Sequence, residues 1–93
     1  MTLARTLRNS RKMSGETVDK VSFAVGISNA YLSDLENGKA LRPKIEIISK
    51  LADYYGLDKD SLIILAGKIP QWAYWKIVKN PDILKLIENY RGG

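Results

Sequence analysis

Apolar side chains recur along most of this chain at separations of three and four, the spacing of an amphipathic helix, and glycines punctuate the pattern. Leu3 and Leu7 lie four apart with Ala4 beside them and Arg5, Arg8 and Lys12 on other faces, which predicts an opening helix from Thr2 to Lys12. Met13-Ser14-Gly15 breaks it. Thr17 is a suitable N-cap for a second helix running to about Val25, with Val18, Val21, Ser22 and Val25 inward and Gly26 ending it. Only Ile27 and Ser28 then separate this helix from a third, so the chain must turn sharply around a glycine. Helix-turn-helix is the layout that results. The small Ser22 allows close approach, and Ile27 is placed to plug the corner.

The third helix, capped by Ser28, turns Leu32 and Leu35 to one side and Asn29, Ser33, Asp34 and Asn37 to the other, with Gly38 just past its end. After a loop from Lys39 to Pro43, proline fits the first turn of a fourth helix, where its missing N–H needs no partner. Ile45, Ile48, Leu51, Ala52 and Tyr55 mark that helix as a core element that stops at Gly56. Asp58 is a cap for a fifth, carrying Leu62, Ile63, Leu65 and Ala66 up to Gly67. The last quarter differs in kind. Ile69, Trp72, Tyr74, Trp75, Ile77 and Val78 crowd large apolar groups together, and Asn80-Pro81-Asp82 supplies an N-cap, a proline at the first helical position and an acid in the first turn. A final helix to about Arg91 follows, with Ile83, Leu84, Ile87 and Tyr90 as its stripe. The fold class is therefore all-α.

Composition adds limits. At 93 residues, 45% hydrophobic and 27% charged, the chain is one small globular domain with a thin core. It has 15 basic and 10 acidic residues, and the excess is concentrated in front of Ile45: eight basic against four acidic side chains up to Lys44. A basic half favours a polyanionic partner. With no Cys and no His, disulfides, thiolate chemistry, the common zinc sites and imidazole catalysis are excluded, so neither an enzyme nor a cofactor is expected. The N-terminus has no signal-peptide core, and no apolar run approaches the roughly 20 residues that span a bilayer. The expected setting is cytoplasmic, on the nucleoid.

Leu7, Arg11, Gly15, Val21-Ser22, Val25-Gly26-Ile27-Ser28 and the run Leu32-Ser33-Asp34-Leu35-Glu36-Asn37-Gly38-Lys39 resemble the phage Cro and repressor helix-turn-helix family of DNA-binding regulators. The resemblance runs without gaps from about Leu3 to Leu65. It implies a five-helix repressor-like bundle whose helix from Ser28 to Glu36 enters the major groove, usually in a dimer on a two-fold symmetric operator. Residues 1–67 would form the helix-turn-helix core, and 68–93 an extension of one or two further helices within the same compact domain. Asn29 is the first candidate for base contact, because an Asn amide pairs bidentately with adenine. Ser28, Ala30 and Ser33 share its side with a more ambiguous code, and Asp34 either accepts from cytosine or pairs with a neighbouring reader. Tyr31 is expected to pack. Thr17, Asn37, Lys39, Arg42 and Lys44 are the candidates for gripping the phosphate backbone. Arg11 and Glu36 match positions that relatives use for a partly buried ion pair.

The chain departs from the family pattern at Val18, where many members have a phosphate-contacting Gln, and at Ser10, Glu16 and Phe23, so that Met13 and Phe23 are expected to rebuild the corner beside α-helical residues 18–25. The segment after Leu65 is similar to a tail found in some bacterial members. It either completes its own core or presents Trp72, Trp75 and Leu86 to a second copy, and dimerisation is the favoured reading. The expected function is a sequence-specific double-stranded-DNA-binding transcriptional regulator, a repressor acting as a homodimer on an inverted repeat. The alternative is the antitoxin of a toxin–antitoxin pair, which wraps a toxin and regulates its own operon.

Overall fold

Four helix starts are set by a short side chain that accepts the N–H three residues on, replacing a bond the helix cannot make for itself. Thr2 accepts from Arg5, Thr17 from Lys20, Ser28 from Tyr31 and Asp58 from Ser61, at 3.2, 3.1, 3.0 and 2.9 Å. The Ser61 hydroxyl, 2.6 Å from the same carboxylate oxygen, and the Ser61 N–H hold the Asp58 carboxyl below its usual range. The computed structural model describes residues 2–40 and 42–91, with the side chains of 87–91 outside that description. Ile87 and Tyr90 of the expected final stripe lie among the latter.

Seven helices and no strand are present among the described residues: α1 (Leu3–Met13), α2 (Val18–Val25), α3 (Asn29–Glu36), α4 (Ile45–Tyr55), α5 (Lys59–Leu65), α6 (Gln71–Lys79) and α7 (Asp82–Arg91). Gly26 turns the chain between α2 and α3 with φ of 80°. Its own N–H and that of Ile27 both return to the Ser22 carbonyl, at 2.9 and 3.0 Å, which closes the end of α2 and fixes the exit direction. A Cβ on Gly26 would meet nothing within 4 Å, so the glycine is needed for its backbone angle and not for space.

Helix α1 packs on α3 and α4, α2 on the same two, and α5 on α4. Their shared core is Leu7, Val21, Val25, Leu32, Leu35, Ile48, Leu51, Ala52, Leu62 and Ile63, with Val18, Ile27 and Tyr31 against its edge. Three expectations need correction. Pro43 is not in the first turn of α4. It is buried ahead of the N-cap Lys44, in a crevice shared with Leu3, Leu35 and Leu65, so packing of the ring and not helix initiation explains it. Met13 and Phe23 do not rebuild a corner: at 88% and 90% exposure they face solvent, because Val21 and Val25 already fill the inward side of α2. Pro81 falls one residue before α7, since Asn80 closes α6 and its carbonyl accepts from Ile83 at 3.0 Å.

The C-terminal pair α6 and α7 packs chiefly on itself, giving a molecule 45 Å long and about half as wide, at 25 × 23 Å. Pro70 is buried and Trp72 Nε1 donates to Asp60 at 2.9 Å, which ties α6 to the start of α5. Replacing Ile48 with Ala should lower unfolding free energy by about 2–5 kcal/mol, whereas Phe23→Ser should change it by no more than about 0.5 kcal/mol. Urea titration of both variants checks the contrast. A large loss from Phe23→Ser would show that this ring has a packing partner.

Candidate nucleic-acid interface

Helix α3 is only eight residues long and could not persist alone in water. It is held by burying Leu32, Leu35 and Glu36, at 0, 2 and 4% exposure. Burial of that side leaves Asn29, Ala30 and Asp34 exposed and Ser33 half-buried on the other. Ser28 begins the same exposed side, with its hydroxyl oxygen accepting from Tyr31 N–H. Tyr31 lies half-buried against the core.

Glu36 ends the helix in a two-point ion pair. Arg11 Nε donates to one carboxylate oxygen at 2.8 Å and its Nη2 to the other at 2.9 Å, with side-chain exposures of 17% for Arg11 and 5% for Glu36. A third bond runs from Arg11 to the Glu16 carbonyl at 3.2 Å. The hydrogen bond to Glu36 raises the Arg11 pKa against the opposing effect of burial. Beside this pair sits Tyr55, whose hydroxyl is buried without a hydrogen-bond partner among the described residues. Burial first, and the Glu36 charge second, push its pKa up to about 12.

Sequence reasoning missed two residues of the site. Arg8 donates to the Glu36 carbonyl at 2.8 Å and to the Asn37 side-chain oxygen, capping the negative end of α3. Its signal was available: Arg8 precedes Arg11 by three residues and so shares a face of α1. Because Arg8 takes the Asn37 oxygen, the amide N–H groups of Asn37 are left to face outward. Asp19, near the start of α2, accepts a hydrogen bond from the Asn29 amide; nothing in the local pattern announces a contact that crosses the corner.

Around this face lie the basic side chains. Lys39, Arg42 and Lys44 are exposed, and none forms an ion pair among the described residues. Arg42 and Lys44 share a shallow groove with Ile27, Tyr31 and Ile47 alongside α3. Thr17 uses its hydroxyl oxygen to cap α2, where the Asp19 carboxylate is a close neighbour in sequence. Trp72, Trp75 and Leu86, at 57, 51 and 68% exposure, belong instead to the C-terminal pair. Among the described residues there is no cluster of three or more metal-ligating side chains, and no helix long and apolar enough to cross a membrane.

Residues 2–62 match the family described as a helix-turn-helix domain. The chain is similar to the HTH-type transcriptional regulator RghRB of Bacillus subtilis, 40% identical over 70% of this chain and 45% of that protein. Similar too are the HTH-type transcriptional regulator DdrOP3 of Deinococcus deserti, at 36% over 76% and 60%, and the HTH-type transcriptional repressor RghR of B. subtilis, at 37% over 72% and 47%. The chain thus spans about half the length of these relatives. In fold it resembles a chain of the SinR protein/SinI protein complex, with a TM-score of 0.61 over 98% of this chain and 95% of the other at 14% identity.

The raised Tyr55 pKa has a signed consequence for stability. The unfolded phenol ionises near about 10 and the folded one near about 12, so its contribution is complete below the lower value and is lost as pH rises between them. Chemical denaturation across that interval should show a steeper loss of stability for wild type than for Tyr55→Phe. That variant leaves no buried hydroxyl unpaired and should fold at neutral pH at least as stably. Identical alkaline profiles would contradict the burial of this hydroxyl.

Proposed function

Because this chain belongs to the helix-turn-helix domain family, we propose that it is a transcriptional regulator that binds double-stranded DNA sequence-specifically, a repressor acting as a homodimer on an inverted-repeat operator in the cytoplasm. One observation carries the reading. A short helix clamped by Leu32, Leu35 and Glu36 turns Asn29, Ala30 and Asp34 outward, with Ser28 and Ser33 beside them. Lys39, Arg42 and Lys44, which form no ion pair among the described residues, flank it. Polar groups able to meet base edges thus sit between cations able to meet phosphates, which is the division of labour that groove recognition requires. Asn37 joins the second group through the amide that Arg8 orients. The names of the relatives, regulators and one repressor, support the same activity.

The homodimer rests on the tail. Trp72, Trp75 and Leu86 expose about half or more of their surface on a pair of helices that contacts the body mainly at its base. A second copy covering that apolar surface would remove it from water, and two copies would offer two reading helices to two half-sites.

Affinity for a duplex selected from a random library should fall steeply with salt, with Lys39→Ala weakening binding to all sequences alike and reducing the log–log slope by about one. Asn29→Ala should instead relax preference at one base pair per half-site by about 1–3 kcal/mol. Salt-independent affinity, or equal and sequence-blind losses from both variants, would defeat the assignment. For the tail, Trp75→Glu should shift sedimentation equilibrium from dimer to monomer. A dimer that survives this change must be built on another surface.

A further inference from the structure

The contact between Asp19 and Asn29 joins the start of α2 to the first residue of the reading helix, and its chemistry is one-sided. An ionised carboxylate only accepts hydrogen bonds, so the edge of Asn29 turned toward it must be the amide nitrogen. Rotating the amide by half a turn would set the Asn29 oxygen against the Asp19 oxygen, two acceptors facing each other. The nitrogen carries two hydrogens. One goes to Asp19, while the other stays beside the amide oxygen on the free edge. That free edge, a donor next to an acceptor, is the complement of adenine N7 and N6 in the major groove.

Resting on the DNA-reading role proposed above, the geometry points to Asp19 as a positioning residue that locks the Asn29 amide in its adenine-reading orientation, so that Asp19 sets base preference without touching a base. Four further observations agree with this role. Asp19 is exposed and forms no ion pair among the described residues, so its carboxylate is free to serve Asn29. Its neighbour Lys20 is directed to Glu16 at 3.4 Å. The N-terminus of α2 stabilises an anion at its second position, and the Gly26 corner fixes the path from α2 to α3. Orientation of the reader is thereby referred to the scaffold instead of being left to rotation about its own side-chain bonds.

Two substitutions at Asp19 test the one-sided contact, because both remove one negative charge, Ala removes any partner for Asn29, and Asn brings an amide that can donate as well as accept. Wild type, D19N and D19A should each be taken through selection and sequencing of a random-sequence duplex library, with circular dichroism as the check on folding. Wild type should enrich adenine at one position in each half-site. D19N should lose part of that preference, because its amide can also donate to a flipped Asn29 oxygen. D19A should lose about tenfold of it, and adding D19A to Asn29→Ala should cause no further loss. Both single variants should bind all sequences somewhat more tightly than wild type, since an anion near phosphate has gone. Undiminished adenine preference in D19A or in D19N, or a base other than adenine in wild type, overturns the positioning role while DNA reading stands. Absence of any preference in wild type instead defeats the DNA-reading proposal, and this inference with it.

Discussion

The exposed face of α3 depends on a carboxylate at its far end. Glu36 is almost fully buried and is satisfied by the fork of Arg11, so α3 can dock only where that pair forms. Two leucines alone would fix α3 loosely, since hydrophobic burial has little direction. The ion pair adds two aligned hydrogen bonds and, with Arg8 on the last carbonyl, ties the end of α3 to α1. Breaking a buried pair of this kind by removing one partner costs about 3–5 kcal/mol, a large share of the roughly 5–15 kcal/mol that holds a domain together. The register of the face and the stability of the core are therefore one problem in this molecule.

That coupling also explains which parts of the structure were legible in the sequence. Caps and exits are local: Thr17, Ser28 and Asp58 act on residues three positions away, and Gly26 acts on its own backbone angle. They could be read directly. Leu32 and Leu35 followed from period, and the all-helical class with them. Pro43 misled because a proline before a helix has two uses, initiation and packing, and only the tertiary crevice decides between them. Phe23 misled for a related reason. Its size favours burial, but the inward positions of α2 were already taken by Val21 and Val25. Arg8 was readable in principle, three residues before Arg11 on one face of α1, whereas the contact of Asp19 with Asn29 crosses elements and no spacing rule reaches that far.

The tail follows a different logic from the body. Helix α6 carries both tryptophans, yet the single chain buries none of its residues, and its polar tie to α5 is the Trp72 bond to Asp60. Lys76 lies over the Trp72 ring at 5.8 Å, and Tyr74 meets Trp75 edge-on at 5.6 Å. These contacts order aromatic side chains within α6 without removing them from water. Under the proposed dimer, such preordering lowers the entropy lost on association. It also means that the spacing of two reading helices would be set at the end of the molecule, through α4 and α5, and not by α3 itself.

The acids of the reading face give the last constraint. Asp19 and Asp34 stand among cations that the proposed function turns toward phosphate, and each weakens that attraction for every sequence equally. A charge with such an effect is tolerable in a specific binder only if it rejects wrong sequences more than it weakens the right one. Under the proposed positioning role, Asp19 would meet this condition through a second residue, by forbidding one orientation of the Asn29 amide. Asp34 is exposed with no side-chain bond among the described residues, so it would have to meet the condition directly, by accepting from a cytosine and leaving a costly unpaired acceptor opposite other bases. Affinity on this face would then come from the flanking lysines and arginine, and discrimination largely from the acids that oppose them.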